Sequence, residues 1–326
     1  MKSAVLSEIK APIKKELNNF ETFFKAAVKS NVPLLNIIMN YILSTKGKQI
    51  RPVVVLYSAK MLGGINETTY RAATLIELLH TATLVHDDVV DNSDHRRNLF
   101  TVNALWKNKV AVLAGDYLLS RGMLTALESK DYELLEIISR AVKDMSEGEL
   151  LQMEKARRLD ITEEVYFEVI RKKTASLMAA AFGCGAASVS NNMEEIEKMR
   201  QIGEWAGIAF QIKDDLLDYN KKNITGKPKG TDIKEKKMTL PLINMLQHIP
   251  GKQKRDIIRT FKKKNVTAKD VDKIIIAVKS SNGMEYAKRI MNEYKNRAIN
   301  LLNEFPDNPS RKALEDIITY SIERVK

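Results

Sequence analysis

The sequence contains a single cysteine, Cys184, among 326 residues. That excludes an internal disulfide and fits a reducing compartment. Glycine and proline are sparse, at 14 and 8. They sit mostly at breaks between long periodic segments, which argues for an all-helical protein. No uninterrupted stretch reaches the roughly 18 apolar residues of a membrane span. The best candidate, residues 176–189, is short and made mostly of Ala and Gly. Residues 1–8 have no apolar core of a signal peptide, so a cytoplasmic protein without a transmembrane segment is expected. Aromatic residues make up only 6% of the chain. This scarcity bears on the charge balance, which is +12 from 53 basic and 41 acidic residues. The lysine runs at 221–222, 234–237 and 262–264 do not interleave with aromatics, so nucleic acid is not an expected partner. A basic balance also suits substrates that carry several phosphates.

Hydrophobic residues form 44% of the chain, enough for a sizeable core. Helical spacing runs from residue 5 to 30 and stops at Asn31-Val32-Pro33. Further helices are expected at 34–43, 53–62, from about 67, and then over 101–127, 132–155, 162–187 and 194–219. From Leu242 onward the pattern is ordinary amphipathic helix. No internal repeat or linker is evident, which favours one domain over residues 1–326.

The chemistry concentrates first in residues 80–97. Asp87, Asp88 and Asp91 are followed by Arg96 and Arg97. On a helix Asp87 and Asp91 share a face, with His80 two turns earlier on roughly the same side. Acidic residues at this spacing are common on solvated faces. Here, however, Leu75, Leu78, Leu79, Ala82, Leu84, Val85, Val89 and Val90 make the helix apolar nearly all round, as in a buried helix. Carboxylates on such a helix need metal or cationic partners.

A second helix ends in Gln211, Asp214, Asp215 and Asp218, at i, i+3, i+4 and i+7 of one face. A Gly/Lys loop follows at 225–237, with Lys227, Lys236 and Lys237 in it. Upstream, Gly47-Lys48-Gln49-Ile50-Arg51-Pro52 opens a helix, with Pro52 suited to the first turn. Lys48 and Arg51 would point cations at a helix N-terminus that itself favours an anion. Lys172-Lys173-Thr174 precedes a run of small residues, which is read as close helix packing.

Two Asp-Asp-x-x-Asp motifs, each on an apolar helix, together with a Gly-Lys-x-x-Arg-Pro loop, resemble the trans-isoprenyl diphosphate synthases, the polyprenyl synthetase family. The resemblance covers about residues 47–241, in order, and is greatest to long-chain members such as octaprenyl diphosphate synthase. It implies an all-α bundle of ten or more helices around a central cavity. It also implies isopentenyl diphosphate and an allylic diphosphate as substrates, and Mg2+ as cofactor, three ions per active site. Lys48, Arg51, His80 and Arg97 match residues that hold isopentenyl diphosphate. Asp87, Asp88 and Asp91, with Arg96, match the motif that binds two magnesium ions on the allylic diphosphate. Asp214, Asp215 and Asp218 match the motif for the third. Lys173, Thr174 and Gln211 match residues near the allylic diphosphate and its reacting carbon, and Lys227 and Lys237 match lysines on the same phosphates. The family usually has Gly where this chain has Asn98, and often Gly where it has Lys236.

The resemblance implies ionisation of the allylic C–O bond, attack by the isopentenyl double bond and loss of a proton, with water excluded by closure of the 225–237 loop. Ala82 and Thr83, just before Asp87, are small where short-chain relatives carry bulky aromatics. A product of about C30 to C50 is therefore expected, with Leu119, Met123 or Leu127 as candidates for the floor of its tunnel. Quinone side chains are the expected destination, with transient membrane contact for product release and a homodimer as the assembly. The alternatives are a short-chain geranylgeranyl or farnesyl diphosphate synthase and a class I terpene cyclase. The cyclase usually mixes Asn or Asp, Ser or Thr, and Glu in its second metal motif, whereas this motif is all Asp.

Overall fold

The computed structural model describes residues 2–44, 47–96, 99–158, 162–220, 230–263 and 265–323. Arg97, Asn98, Lys227 and most of the Gly/Lys loop (221–229) lie outside the described residues. The first half of the chain runs α1 (Lys2–Lys10), α2 (Lys14–Ala27), α3 (Pro33–Ser44), α4 (Ile50–Leu62), α5 (Glu67–Val90), α6 (Val102–Glu128) and α7 (Tyr132–Arg158). The second half runs α8 (Glu163–Ile170), α9 (Ser176–Ala187), α10 (Met193–Asp218), α11 (Thr231–Lys234), α12 (Leu240–His248), α13 (Gly251–Lys262), α14 (Ala268–Lys279), α15 (Gly283–Leu302) and α16 (Pro309–Glu323). The protein is all-α, as its periodicity predicts.

Three local features differ from the sequence reading. The expected helix over 5–30 is interrupted by a 3-10 turn, Ala11–Ile13, because Pro12 has no N–H to continue the ladder. A two-residue hairpin, β1 (His95–Arg96) paired antiparallel with β2 (Leu99–Phe100), sits where only the double arginine had been noted. The stretch over 162–187 contains a π turn, Arg171–Ala175, between α8 and α9. In addition, α6 is long and apolar enough to cross a membrane by length and composition alone. It holds no uninterrupted apolar run of that length, because Asp116 and Arg121 lie within it.

The chain divides into two compact units. One comprises Met1–Val142, Leu177–Gly203 and Leu301–Ile317. Its spine is α5, on which α6, α4 and α2 pack. Asn66 caps α5 by accepting from the Thr69 N–H at 2.9 Å, and the Thr69 hydroxyl accepts from the Asn66 N–H in return. Ala72, Ile76, Leu78 and Ala82 of α5 are fully buried. Burial of a side chain such as Leu78 is worth about 1.5–3 kcal/mol. Arg71 holds Asp131 through a two-pronged pair at 2.5 and 3.0 Å, which ties α5 to the α6–α7 turn. The small-residue run of α9 packs closely: a Cβ on Gly185 would come within 2.6 Å of Ser58.

The other unit comprises Lys143–Ser176, Glu204–Asn300 and Ile318–Lys326. Its core gathers Ile257 and Phe261 of α13, Val271, Ile274, Ile275 and Val278 of α14, and Leu242 and Met245 of α12 around Tyr219. Tyr219, just after α10, is 1% exposed, and its hydroxyl meets that of Thr239 at 2.5 Å. The last turn of α10 is anchored by this contact.

Candidate active site

The C-terminal end of α5 carries the first acidic motif. Asp87 is half-buried, Asp88 buried and Asp91 exposed. Asp91 caps the helix in helical conformation and its N–H donates to the Asp87 carbonyl at 2.8 Å. The β1–β2 hairpin returns Arg96 to this end. Its guanidinium donates to Asp88 Oδ1 from two nitrogens, both at 2.9 Å. Burial pushes the Asp88 carboxyl up, Asp91 adds to the rise, and Arg96 opposes it. Asn103 braces the turn through the carbonyl of Ser93 at 3.1 Å. His86 reaches the Val112 carbonyl at 3.1 Å and Asp116 at 3.5 Å. That approach requires Gly115, where a Cβ would lie 2.1 Å from the imidazole.

The basic loop is brought to the same helix. Arg51, on the first turn of α4, lies 3.0 Å from His80 Nε2. A guanidinium can only donate, so His80 Nε2 is the acceptor and its proton sits on Nδ1. Gln49, ahead of α4, takes left-handed backbone angles, with φ 51°. Lys48 is exposed on that turn.

In the second unit the π turn and the end of α10 form one network. The Thr174 hydroxyl donates to Gln211 Oε1 at 2.9 Å, and Gln211 Nε2 donates to Asp215 Oδ1 at 2.9 Å. The Tyr166 hydroxyl donates to Asp215 Oδ2 at 2.7 Å. Asp215 is thus buried with both oxygens engaged by neutral donors. Burial, Asp232 and Asp214 hold its carboxyl well above the usual carboxylate range. Asp218 accepts from the N–H groups of Thr231 and Asp232 at 3.1 and 3.3 Å. Lys173 pairs with Glu149, and Lys172 with Glu147 at 3.0 Å. Between those glutamates, Gly148 lets α7 press on the π turn, where a Cβ would come within 2.7 Å of the Lys173 nitrogen. Lys173, Thr174, Gln211, Asp214, Asp215 and Lys237 all line one cavity with Tyr166, Asp232 and Thr239. Lys237 Nζ meets Glu235 at 2.6 Å, and the preceding Lys236 is held at φ 59°, in the left-handed region.

Tyr166, Glu149 and Asp232 were not singled out from the sequence. The Glu147-Gly148-Glu149 triplet is the visible trace of the grip on the two lysines. Nothing local marks Tyr166, which lies far from Asp215 in the chain.

Of the residues expected to set product length, Ala82 is fully buried and the Thr83 hydroxyl donates to the His80 carbonyl at 2.9 Å. Met123 lines an apolar pocket with Leu75, Leu79, Leu118, Leu119 and Gly122, closed on the α7 side by Leu135, Ile138, Ser139 and Val142. Leu127 does not line it and is 47% exposed.

Divalent metal fits the donor set. Both helix ends offer carboxylate oxygens, the ligands of hard cations such as Mg2+. The raised carboxyls of Asp88 and Asp215 mark negative charge that bound cation would compensate. Among the described residues no three His, Cys, Asp or Glu side chains are already gathered tightly enough to hold an ion. Asp88 is instead turned to Arg96, and Asp215 to Tyr166 and Gln211.

An all-α chain with two carboxylate-tipped helices is the make-up of an isoprenoid synthase. The sequence profile of the family described as Polyprenyl synthetase matches residues 32–278. The octaprenyl diphosphate synthase of Escherichia coli is 38% identical over 300 residues, 91% of this chain and 92% of that protein. A nonaprenyl diphosphate synthase of Rhodobacter capsulatus, described as geranyl-diphosphate specific, is 35% identical over 98% of both chains. The geranylgeranyl diphosphate synthase of Saccharolobus solfataricus is 33% identical over 95% of this chain and 96% of that one. The crystal structure of a decaprenyl diphosphate synthase from Rhodobacter capsulatus superposes with a TM-score of 0.92 at 30% identity, over 98% of this chain and 99% of that one. A Caulobacter crescentus polyprenyl synthase, solved with calcium and isoprenyl diphosphate, gives 0.91 at 30% identity over 98% of both. The chain belongs to the polyprenyl synthetase family and is a trans-polyprenyl diphosphate synthase, a prenyltransferase.

Proposed function

We propose that the protein makes long-chain polyprenyl diphosphates, about C30 to C50 and most simply octaprenyl, by adding isopentenyl units to an allylic diphosphate such as farnesyl diphosphate. The observation that carries the reading is the Arg51–His80 contact at 3.0 Å on the helix that ends in Asp87, Asp88 and Asp91, in a chain that carries a second Asp-Asp-x-x-Asp at the end of α10. Lys48, Arg51, His80 and Arg97 are assigned to isopentenyl diphosphate. A neutral His80 acceptor keeps Arg51 oriented, and the two cations of Lys48 and Arg51 then neutralise diphosphate oxygens.

Asp87, Asp88 and Asp91 would hold Mg2+ on the allylic diphosphate, and Asp214, Asp215 and Asp218 would hold a third ion. Bound Mg2+ supplies charge neutralisation of the leaving diphosphate, which lets the allylic C–O bond ionise. Arg96 orients Asp88 and opposes the rise that burial imposes on its carboxyl. Tyr166 and Gln211 orient Asp215 and oppose its rise in the same way. Thr174 fixes Gln211 by a hydrogen bond, leaving its amide face toward the cavity that Lys173 and Lys237 also line. Lys173, Lys227 and Lys237 are assigned to the allylic phosphates. The chain is proposed to work as a single domain over residues 1–326. A cytoplasmic location, a homodimer, a quinone side chain as product use and transient membrane contact for product release are parts of the same proposal.

Product length is assigned to the apolar pocket at Met123 and to Ala82 and Thr83 above it on α5. A shorter product is the second reading, favoured by the geranylgeranyl diphosphate synthase among the relatives. Mass analysis of the product formed from farnesyl diphosphate, isopentenyl diphosphate and Mg2+ separates the two. A C20 end product would overturn the long-chain reading.

A further inference from the structure

Most lysines near the candidate site are paired: Lys172 with Glu147 and Glu168, Lys173 with Glu149, Lys237 with Glu235. Helix α13 is different. Its sequence carries Lys252, Lys254, Arg255, Arg259 and Lys262 against the single acid Asp256, and all six are exposed. None of the five cations makes an ion pair among the described residues. Lys252, Arg255, Arg259 and Lys262 fall at i, i+3, i+7 and i+10, which is one stripe of a helix. The opposite side is fixed, because Ile257, Thr260 and Phe261 are buried. The stripe therefore faces solvent as a rigid line of charge about 15 Å long. Helix α14 packs against α13 and exposes Ile276 to 65%, one turn beyond Lys273 and two beyond Lys269, both exposed.

We propose that the α13 stripe, together with the exposed Ile276 of α14, docks the enzyme on an anionic lipid surface. Charge complementarity selects the partner. A row of unpaired cations gains from the negative potential of a leaflet rich in anionic lipid, at about fivefold in partitioning per charge. The apolar face of α13 is already used in the core, so the helix lies on the headgroups by charge rather than inserting. Ile276 supplies the single apolar contact that can reach below them. Single-stranded nucleic acid suits the surface less, because neither helix exposes an aromatic side chain for base stacking. The inference rests on the proposed long-chain product for its purpose: a polyprenyl tail leaves the enzyme most readily where a bilayer is at hand. Its binding test does not depend on that product.

The test is flotation of the full chain with vesicles of equal parts phosphatidylglycerol and phosphatidylcholine, and with phosphatidylcholine alone. Binding is expected on the anionic vesicles only, weakening as salt rises. Arg255→Glu with Arg259→Glu should lower the partition coefficient at least tenfold, with circular dichroism and turnover of farnesyl diphosphate unchanged. Lys252→Gln with Lys262→Gln should lower it less, and Ile276→Ser should remove the part that survives high salt. Equal binding to both vesicle types, an unchanged partition of the double charge reversal, or preferential displacement by duplex DNA would overturn the proposal. If the product is C20 but the stripe binds vesicles, the long-chain reading fails and the docking surface stands. If the product is long and the vesicles are ignored, the reverse holds.

Discussion

The ends of α5 and α10 bear the same three-aspartate motif and solve its charge in different ways. At the end of α5 the buried member, Asp88, faces a guanidinium, which pulls its carboxyl back toward the charged form. At the end of α10 the buried member, Asp215, has only neutral donors, Tyr166 and Gln211, while Asp232 and Asp214 push its carboxyl further up. Among the described residues Asp88 has a cationic partner, whereas Asp215 has hydrogen bonds from the neutral groups Tyr166 and Gln211. On the proposed function, Asp215 depends more on the cation that arrives with substrate.

The largest expected effect is loss of either buried carboxylate. Asp88→Asn and Asp215→Asn should each lower kcat/KM by about 10³-fold, the scale of metal-assisted charge stabilisation. The Mg2+ concentration for half-maximal rate should rise more for Asp215→Asn, and chelation by EDTA should abolish turnover in every variant. Equal Mg2+ dependence would remove the distinction between the two ends. Next, Arg96→Ala strands the buried Asp88 and should cost about 10²-fold, whereas Tyr166→Phe removes one hydrogen bond from the buried Asp215 carboxyl and should cost roughly tenfold. Steady-state kinetics at saturating Mg2+ decides their order.

A change one turn before the first motif should alter the product rather than the rate. Ala82→Tyr is expected to shorten the main product to about C15 or C20, seen by chromatography, at a stability cost of about 1–3 kcal/mol because Ala82 is fully buried. The backbone at Lys236, beside the second end, offers a smaller effect. Its left-handed φ of 59° suits glycine, so Lys236→Gly should gain about 0.5–1 kcal/mol in urea unfolding. Smallest is a carboxylate with the opposite sign of shift. Asp270 is lowered to about 2 by hydrogen bonds from Lys263 and the Thr267 cap. A depressed folded-state value means its contribution is complete above the ordinary carboxylate range and is lost as pH falls toward 2. Asp270→Asn should remove that contribution, so that stability falls slightly at neutral pH and the acid limb of the stability curve flattens over that interval, as followed by urea unfolding against pH.

Much of this architecture is written locally. Apolar periodicity placed the long helices, and the motif spacing placed three carboxylates on each of two helix ends. What periodicity could not supply was the handling of that charge. The hairpin that returns Arg96 to Asp88 is only two residues per strand, too short for a period-2 pattern to register. The π turn at Lys173 and Thr174 packs against Gly148 of a different helix, a close approach that no local propensity encodes. Tyr166 reaches Asp215 across 49 positions of chain, so its partnership exists only after folding. Pro12 is a different case: its missing N–H is a local signal for the break in the first helix, yet the apolar spacing runs through it and reads as one helix over 5–30.

Product length is the property on which the proposed function stands or falls. The decisive measurement is mass spectrometry of the product released when the purified chain is given farnesyl diphosphate, labelled isopentenyl diphosphate and Mg2+. A series of polyprenyl diphosphates ending between about C30 and C50 is the expected result. A series ending at about C20, a cyclised hydrocarbon, or inorganic diphosphate without incorporated label would contradict it.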